Sequence, residues 1–326
     1  MDDFSLKRRE IMALPRGVLV HPDELGDLWL DRLQGSSVTT LGLHPVGGKK
    51  AHESLEALYC AVKNGEMDAH FARLKEMGIE LEYEVHAMSW LLPREEFDAH
   101  PEWFRMNEEG ERVADFNLCA SSAEALSYVA TRAAELAKVL RPTTHRHHLW
   151  IDDVRQSFCH CEKCRNLTPS DQALIVYNAL LKGLRTVDPL ATQCYLAYQN
   201  TRDVPTAVQP DEGIFLEYAP FDRDMHVPLS DEACEKNRTE IASLPELLRF
   251  FGKEDAKVLE YWLDNSLFSR WKKPPQPFAL DVPVMKDDFT FYEQLGFADM
   301  TVFACYLGED YTALHGEPRI DDYLKK

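Results

Sequence analysis

The chain lacks any apolar run of the roughly 18 residues a membrane-crossing helix needs. Its opening stretch, MDDFSLKRREIMALPRG, lacks the apolar centre of a secretory signal. These two absences predict a cytoplasmic protein, with its eight cysteines meeting a reducing medium. No GxGxxG turn is present, which argues against a doubly wound dinucleotide-binding sheet. Basic residues are few beside acidic ones: 36 Lys and Arg against 55 Asp and Glu, for a net charge of -19. Such a surface repels nucleic acid and anionic membranes, so neither is expected as a partner. It suits a neutral or cationic substrate. No low-complexity linker breaks the 326 residues, and a single domain spanning 1–326 is expected. With 45% hydrophobic and 10% aromatic residues, the chain is globular and has ample material for a core.

Short β-rich runs alternate with stretches of helical spacing. The strands are read at GVLVHP (17–22), VTTLGLHP (38–45), ELEYEVHAMSW (80–90) and HHLWIDD (147–153). Four more follow at TQCYLAYQ (192–199), GIFLEYAPF (213–221), KVLEYWLDN (257–265) and MTVFACYLG (300–308). Helices are expected at 23–33 and 123–140, after Ser170 as N-cap, from near Ser230, and up to Gly296. Eight βα periods in a chain of this length predict an α/β fold, a (β/α)8 barrel, with a long insertion after strand three and a cysteine-rich loop after strand four.

In such a barrel the C-terminal strand ends form the active face. Polar residues collect there: His21, His44, His86, Asp152, Asp153, Tyr198, Asp264 and Asn265. Asp152 and Asp153 are adjacent carboxylates, and two close carboxylates split their pKa values, as acid catalysis of glycosidic cleavage requires. The alternative is that one of them caps a turn. Glu217 and Glu260 lie mid-strand among apolar residues, so each must be paired or face a site. Their alternative partners are Arg223, Arg270 or a lysine. Arg223 itself could grip a substrate carboxylate or pair with Asp222 or Asp224. Trp90, Trp262, Tyr198 and Tyr261 are candidate platforms for a sugar ring.

Cys159, Cys161 and Cys164 form a C-x-C-x2-C run, which fits a structural zinc better than a disulfide framework. A fourth ligand could come from Cys119, in the insertion, or from His160. Free thiols remain the alternative.

The stretches NLCASSAEAL, CHCEKCRNLTPSDQ, YAPFDRDMHVPLSDEACEKN, VLEYWLDNSLF and FACYLGEDY together resemble domain-of-unknown-function family 4838, from about Leu81 to Tyr311. The family's members are (β/α)8 barrels grouped with glycoside hydrolases. The resemblance implies Cys119 as the fourth member of the cysteine cluster. It also marks Asp152 or Asp153, Arg223, Asn237 and Tyr261 as pattern positions. The Asp152–Asp153 doublet is similar to the acid pairs of the O-GlcNAcases (family 84) and family 20 hexosaminidases. That likeness implies Asp152 as the residue orienting the reacting group and Asp153 as the acid.

The expectation is therefore a glycoside hydrolase acting on a small or terminal sugar, with Asp153 as general acid, Asp152 assisting, and the strand-end histidines bonding hydroxyls. An α-glucuronidase-like enzyme, with Arg223 on a uronate and Glu217 or Glu260 catalytic, is the second reading. A non-catalytic carbohydrate-binding barrel is the third. The oligomeric state is left open.

Overall fold

The computed structural model describes residues 14–325. Eight strands run parallel and close on themselves: β1 (Arg16–Val20), β2 (Val38–Leu43), β3 (Glu80–His86), β4 (Arg146–Trp150), β5 (Thr192–Ala197), β6 (Ile214–Tyr218), β7 (Lys257–Glu260) and β8 (Asp299–Phe303). β1 pairs with β8 to complete the barrel, Gly17 facing Thr301 and Leu19 facing Phe303. The expected fold class is the observed one.

Alternation along each strand sends one set of side chains outward to the helices and the other into the lumen. In β6, Tyr218 turns outward and donates to the Glu240 carbonyl at 3.1 Å, while Glu217 turns inward to His148. Outside, the helix Ala123–Val139 packs on the helix Pro169–Leu184. Gly183 permits the close crossing, since a Cβ there would lie 2.0 Å from the Ala130 carbonyl oxygen.

Several boundaries differ from the sequence reading. β3 stops at His86, and Met88–Leu91 is a helical turn, so Trp90 leaves the barrel rim. β7 ends at Glu260, before the chain turns through Asp264. The helix expected from Ser230 begins at Glu235 (Glu235–Ile241). The N-cap of the helix after the cysteines is Thr168, not Ser170. Pro169 takes the first helical position, where its missing N–H costs nothing, and Thr168 and Asp171 cap reciprocally. No described helix is long and apolar enough to cross a membrane.

Candidate active site at the barrel mouth

Two sets of polar side chains occupy the barrel interior. The deeper set is sealed. Lys257 Nζ donates to Glu82 at 2.5 Å and to Glu84 at 2.8 Å. His148 lies between Glu82 at 3.3 Å and Glu217 at 2.9 Å, and the Trp150 indole donates to Glu217 at 2.7 Å. Thr301 donates to Glu84 at 3.1 Å. Burial opposes charge on Glu217, yet His148 and Lys257 bring it down to about 2. Burial likewise opposes the His148 imidazolium, but Glu217, Glu82 and Glu84 lift it to about 9. Burial pushes Glu84 up to about 7. Two cations thus balance two carboxylates, and Glu84 holds a proton near neutrality. Glu217 belongs to this network and does not reach the mouth.

Glu260 does not enter the lumen at all. Lys257 points inward, so two-residue alternation turns Glu260 outward, where Arg223 Nη1 reaches it at 2.8 Å and the Tyr292 hydroxyl donates at 2.6 Å. Arg223 also pairs with Asp288 at 2.7 Å and donates to the Val227 carbonyl at 2.9 Å. It is fully buried, so no substrate carboxylate can meet it. Asn237 braces the same loop through Asp224, Val227 and Pro228. Trp262 donates to Asp288 in this outer layer, and Trp90 donates to Glu56 under the stacked guanidinium of Arg132. Asn265 bonds the Gln276 and Tyr306 carbonyls and holds two loops together.

The mouth is lined by a crown of rings, one from each strand end. Tyr198 (after β5) meets Phe221 (after β6), which meets Tyr261 (after β7), which stacks on Phe303 of β8 at 5.2 Å. Phe303 meets His44 at 5.0 Å, and His44 lies against His21, His86 and Trp150. Phe221, Phe303 and Trp150 were not singled out from the sequence; a ring at the same inward parity in every strand was the signal.

The three histidines are held alike. His21 Nδ1 lies 2.7 Å from the His44 carbonyl, His44 Nδ1 2.8 Å from the Glu84 carbonyl, and His86 Nδ1 2.7 Å from the Ile151 carbonyl. A carbonyl can only accept, so each Nδ1 carries the proton and each Nε2 is a lone-pair acceptor.

The carboxylate doublet divides. Asp152 Oδ2 accepts from Arg94 at 2.7 Å and from the Asn117 backbone at 2.6 Å, while the Asn117 side chain accepts from Asp152 N at 2.9 Å. It ties the insertion to the end of β4. Asp153 is half-buried and faces the mouth beside the hydroxyls of Tyr198 and Tyr261, both of which it helps to raise, after burial. Asp264 caps the turn after β7, one oxygen accepting from Ser266 at 3.0 Å and Leu267 at 3.2 Å. Burial pushes it up to about 6, and its charge is felt at Tyr261 and His21. Its second oxygen makes no hydrogen bond among the described residues.

The four cysteines converge as expected. Cys119 Sγ lies 3.6 Å from Cys159, 3.7 Å from Cys161 and 4.0 Å from Cys164, and all four are buried. Sulfurs at tetrahedral corners about 2.3 Å from a zinc ion stand about 3.8 Å apart. The donor set fits: the Met106 amide donates to Cys159 at 3.3 Å, Ser121 lies 3.3 Å from Cys119, and Arg112 Nη1 lies 3.7 Å from Cys159. Such donors offset the charge of four thiolates. His160 is exposed and outside the cluster. Cys194 and Cys305 are buried elsewhere.

The fold resembles solved glycosidases. Endo-glycoceramidase II from Rhodococcus sp. is 11% identical with a TM-score of 0.50, covering 90% of this chain and 73% of that one. A chitinase from Rhizomucor miehei is 10% identical (TM-score 0.48; 92% and 97% covered). An O-GlcNAc hydrolase variant from Thermobaculum terrenum is 11% identical (TM-score 0.47; 91% and 56% covered). At these identities the likeness is one of fold. No curated protein matches the sequence. The family model of the domain of unknown function DUF4838 matches residues 52–247, which hold the cysteine cluster, the Asp152–Asp153 doublet, Arg223 and Asn237 but not Tyr261, and the chain belongs to that family.

Proposed function

We propose that this barrel is a glycoside hydrolase acting on a small or terminal sugar, with Asp153 and Asp264 as its working carboxylates. The observation that carries this reading is the ring-lined mouth, with one carboxylate on each side of Tyr261. Aromatic faces stack on the C–H faces of a pyranose, while strand-end polar groups bond its edge. Asp264 is the general acid: its pKa of about 6 keeps a proton available near neutrality, and its hydrogen-bonded oxygen leaves the other free to donate. Asp153, beside the Tyr198 hydroxyl, stabilises the positive charge that develops at the anomeric carbon. The sequence reading made Asp152 the assisting carboxylate. Its bonds to Arg94 and Asn117 favour an anchoring role instead. The buried pairing of Arg223 with Glu260 and Asp288 weighs against the α-glucuronidase-like alternative.

The four cysteines would hold a structural zinc, which supplies no chemistry at the mouth. The ion would tie the insertion to the loop carrying Asp153, alongside the Asp152–Asn117 clasp.

A screen of aryl glycosides tests the hydrolase reading. Asp264→Asn should lose at least about 100-fold in kcat on a poor leaving group and much less on an activated one, because protonation matters only for the first. Asp153→Asn should lose comparable rate on both. No turnover of any aryl glycoside by the wild type, or normal turnover by both folded variants, refutes the assignment.

A further inference from the structure

The histidines ending β1, β2 and β3 form a repeated device. When the parallel ladder runs out at Val20↔Leu43, the next carbonyls along the rim have no backbone partner. An imidazole Nδ1–H fills that place three times in succession, at His44, Glu84 and Ile151. Any donor could have done this. A histidine does it while turning a second, oppositely equipped nitrogen toward the mouth. The Nε2 atoms of His21, His44 and His86 make no hydrogen bond among the described residues and are not among the fully sealed, unpartnered side-chain atoms. Burial, with His21 and His86 alongside, holds His44 well below the usual imidazole range, so it stays a neutral acceptor. Gly47 leaves the His86 ring its room: a Cβ there would come within 3.1 Å of His86 Cδ2.

We infer that His21, His44 and His86 form an acceptor rail that binds a neutral, polyhydroxylated ligand edge through donor hydroxyls and rejects anionic groups. Three lone pairs, with Asp153 and Asp264 on the same mouth, repel a carboxylate or phosphate but complement O–H dipoles. A metal ion is a poor occupant. The three histidines do not form a group whose ligand atoms all lie within 4.8 Å of one another. The inference rests on the sugar-binding half of the proposed function and not on turnover.

Two substitutions at one position separate binding from structure. In His86→Asn, the amide nitrogen stands where Nδ1 stood, keeping the bond to Ile151 and removing the acceptor. In His86→Gln, the amide oxygen stands where Nε2 stood, keeping the acceptor and removing the bond to Ile151. The full chain is titrated with methyl glycosides of the neutral hexoses and N-acetylhexosamines, and with glucuronic acid, by calorimetry and saturation-transfer NMR. The wild type should bind at least one neutral glycoside and bind glucuronic acid at least about tenfold more weakly. His86→Asn should weaken the neutral ligand about tenfold with little change in Tm, and His86→Gln should keep affinity while lowering Tm. The same pair at His44 should behave alike. Tighter binding of the uronate, no binding of any neutral glycoside, or weaker binding by Gln than by Asn overturns the rail. Binding that follows this pattern without turnover upholds the rail and removes the hydrolase. Turnover with unchanged affinity in His86→Asn does the reverse.

Discussion

The lumen and the mouth of this barrel are built from the same residue types and do different things. Glu82, Glu84, His148, Glu217 and Lys257 satisfy one another and are closed off. His21, His44, His86, Asp153 and Asp264 are each fixed or flanked by the protein, yet lie at the open end. Large pKa shifts mark the lumen more strongly than the mouth, because burial and close charge are greatest there. A perturbed pKa therefore does not locate function in this molecule. What separates the two regions is whether an atom remains free after internal bonding is complete.

The sharpest way to break the contrast is to strip the lumen of its fixed cation. Lys257→Met leaves Glu82 and Glu84 facing each other without compensation, and should cost about 4 kcal/mol in urea unfolding. A loss below about 1 kcal/mol would mean that the network is not held by charge. His86→Asn at the mouth should cost far less, since its one internal bond is kept.

Acidity probes the lumen with no mutation. The native pKa of His148 rises from 6.5 to about 9, and that of Glu84 from 4.5 to about 7. A raised native value means the folded state holds the proton more tightly than the unfolded chain. Each contribution is complete below the unfolded value and lost as pH climbs through the native one. Glu217 runs the other way, from 4.5 down to about 2, so its contribution is lost only in acid. Stability should therefore fall between pH 6.5 and 9, by about 3 kcal/mol from His148 alone. His148→Gln should flatten that fall; an unchanged slope would show that His148 is neutral in the folded protein.

The smallest effect is expected at the cysteines, outside both regions. Cys119→Ser, or a strong chelator, should cost about 2 kcal/mol, because the Asp152–Asn117 clasp still holds the loop. Protein purified without added metal should contain about one zinc per chain. Four freely titrating thiols in the native protein would argue against any ion there.

Some of this was legible along the chain. The βα rhythm encodes the barrel because burial alternates locally, strand by strand and helix by helix. The histidines were visible because each follows an apolar run, and three cysteines were visible because they share one short loop. The lumen network was missed, although ELEYEVH puts three acids and a histidine on one face of a strand whose two faces must both be buried. Lys257 carried a second signal: with it pointing inward, Glu260 had to point out.

Sequence alone determined the number of strands, the end of the barrel that carries the polar rim, and the cysteine cluster, since each follows from local pattern or short spacing. Tertiary structure alone decided the fate of look-alike acids. Glu217 in FLEYAP and Glu260 in VLEYWL have similar surroundings along the chain. Yet one meets His148 inside the barrel and the other meets Arg223 outside it. Asp152 and Asp153 are neighbours, yet Arg94 and Asn117 claim the first and leave the second to the mouth. A carboxylate's role depends on which charge or donor reaches it within a few ångströms, and in a closed barrel those partners come from strands and loops far away in sequence.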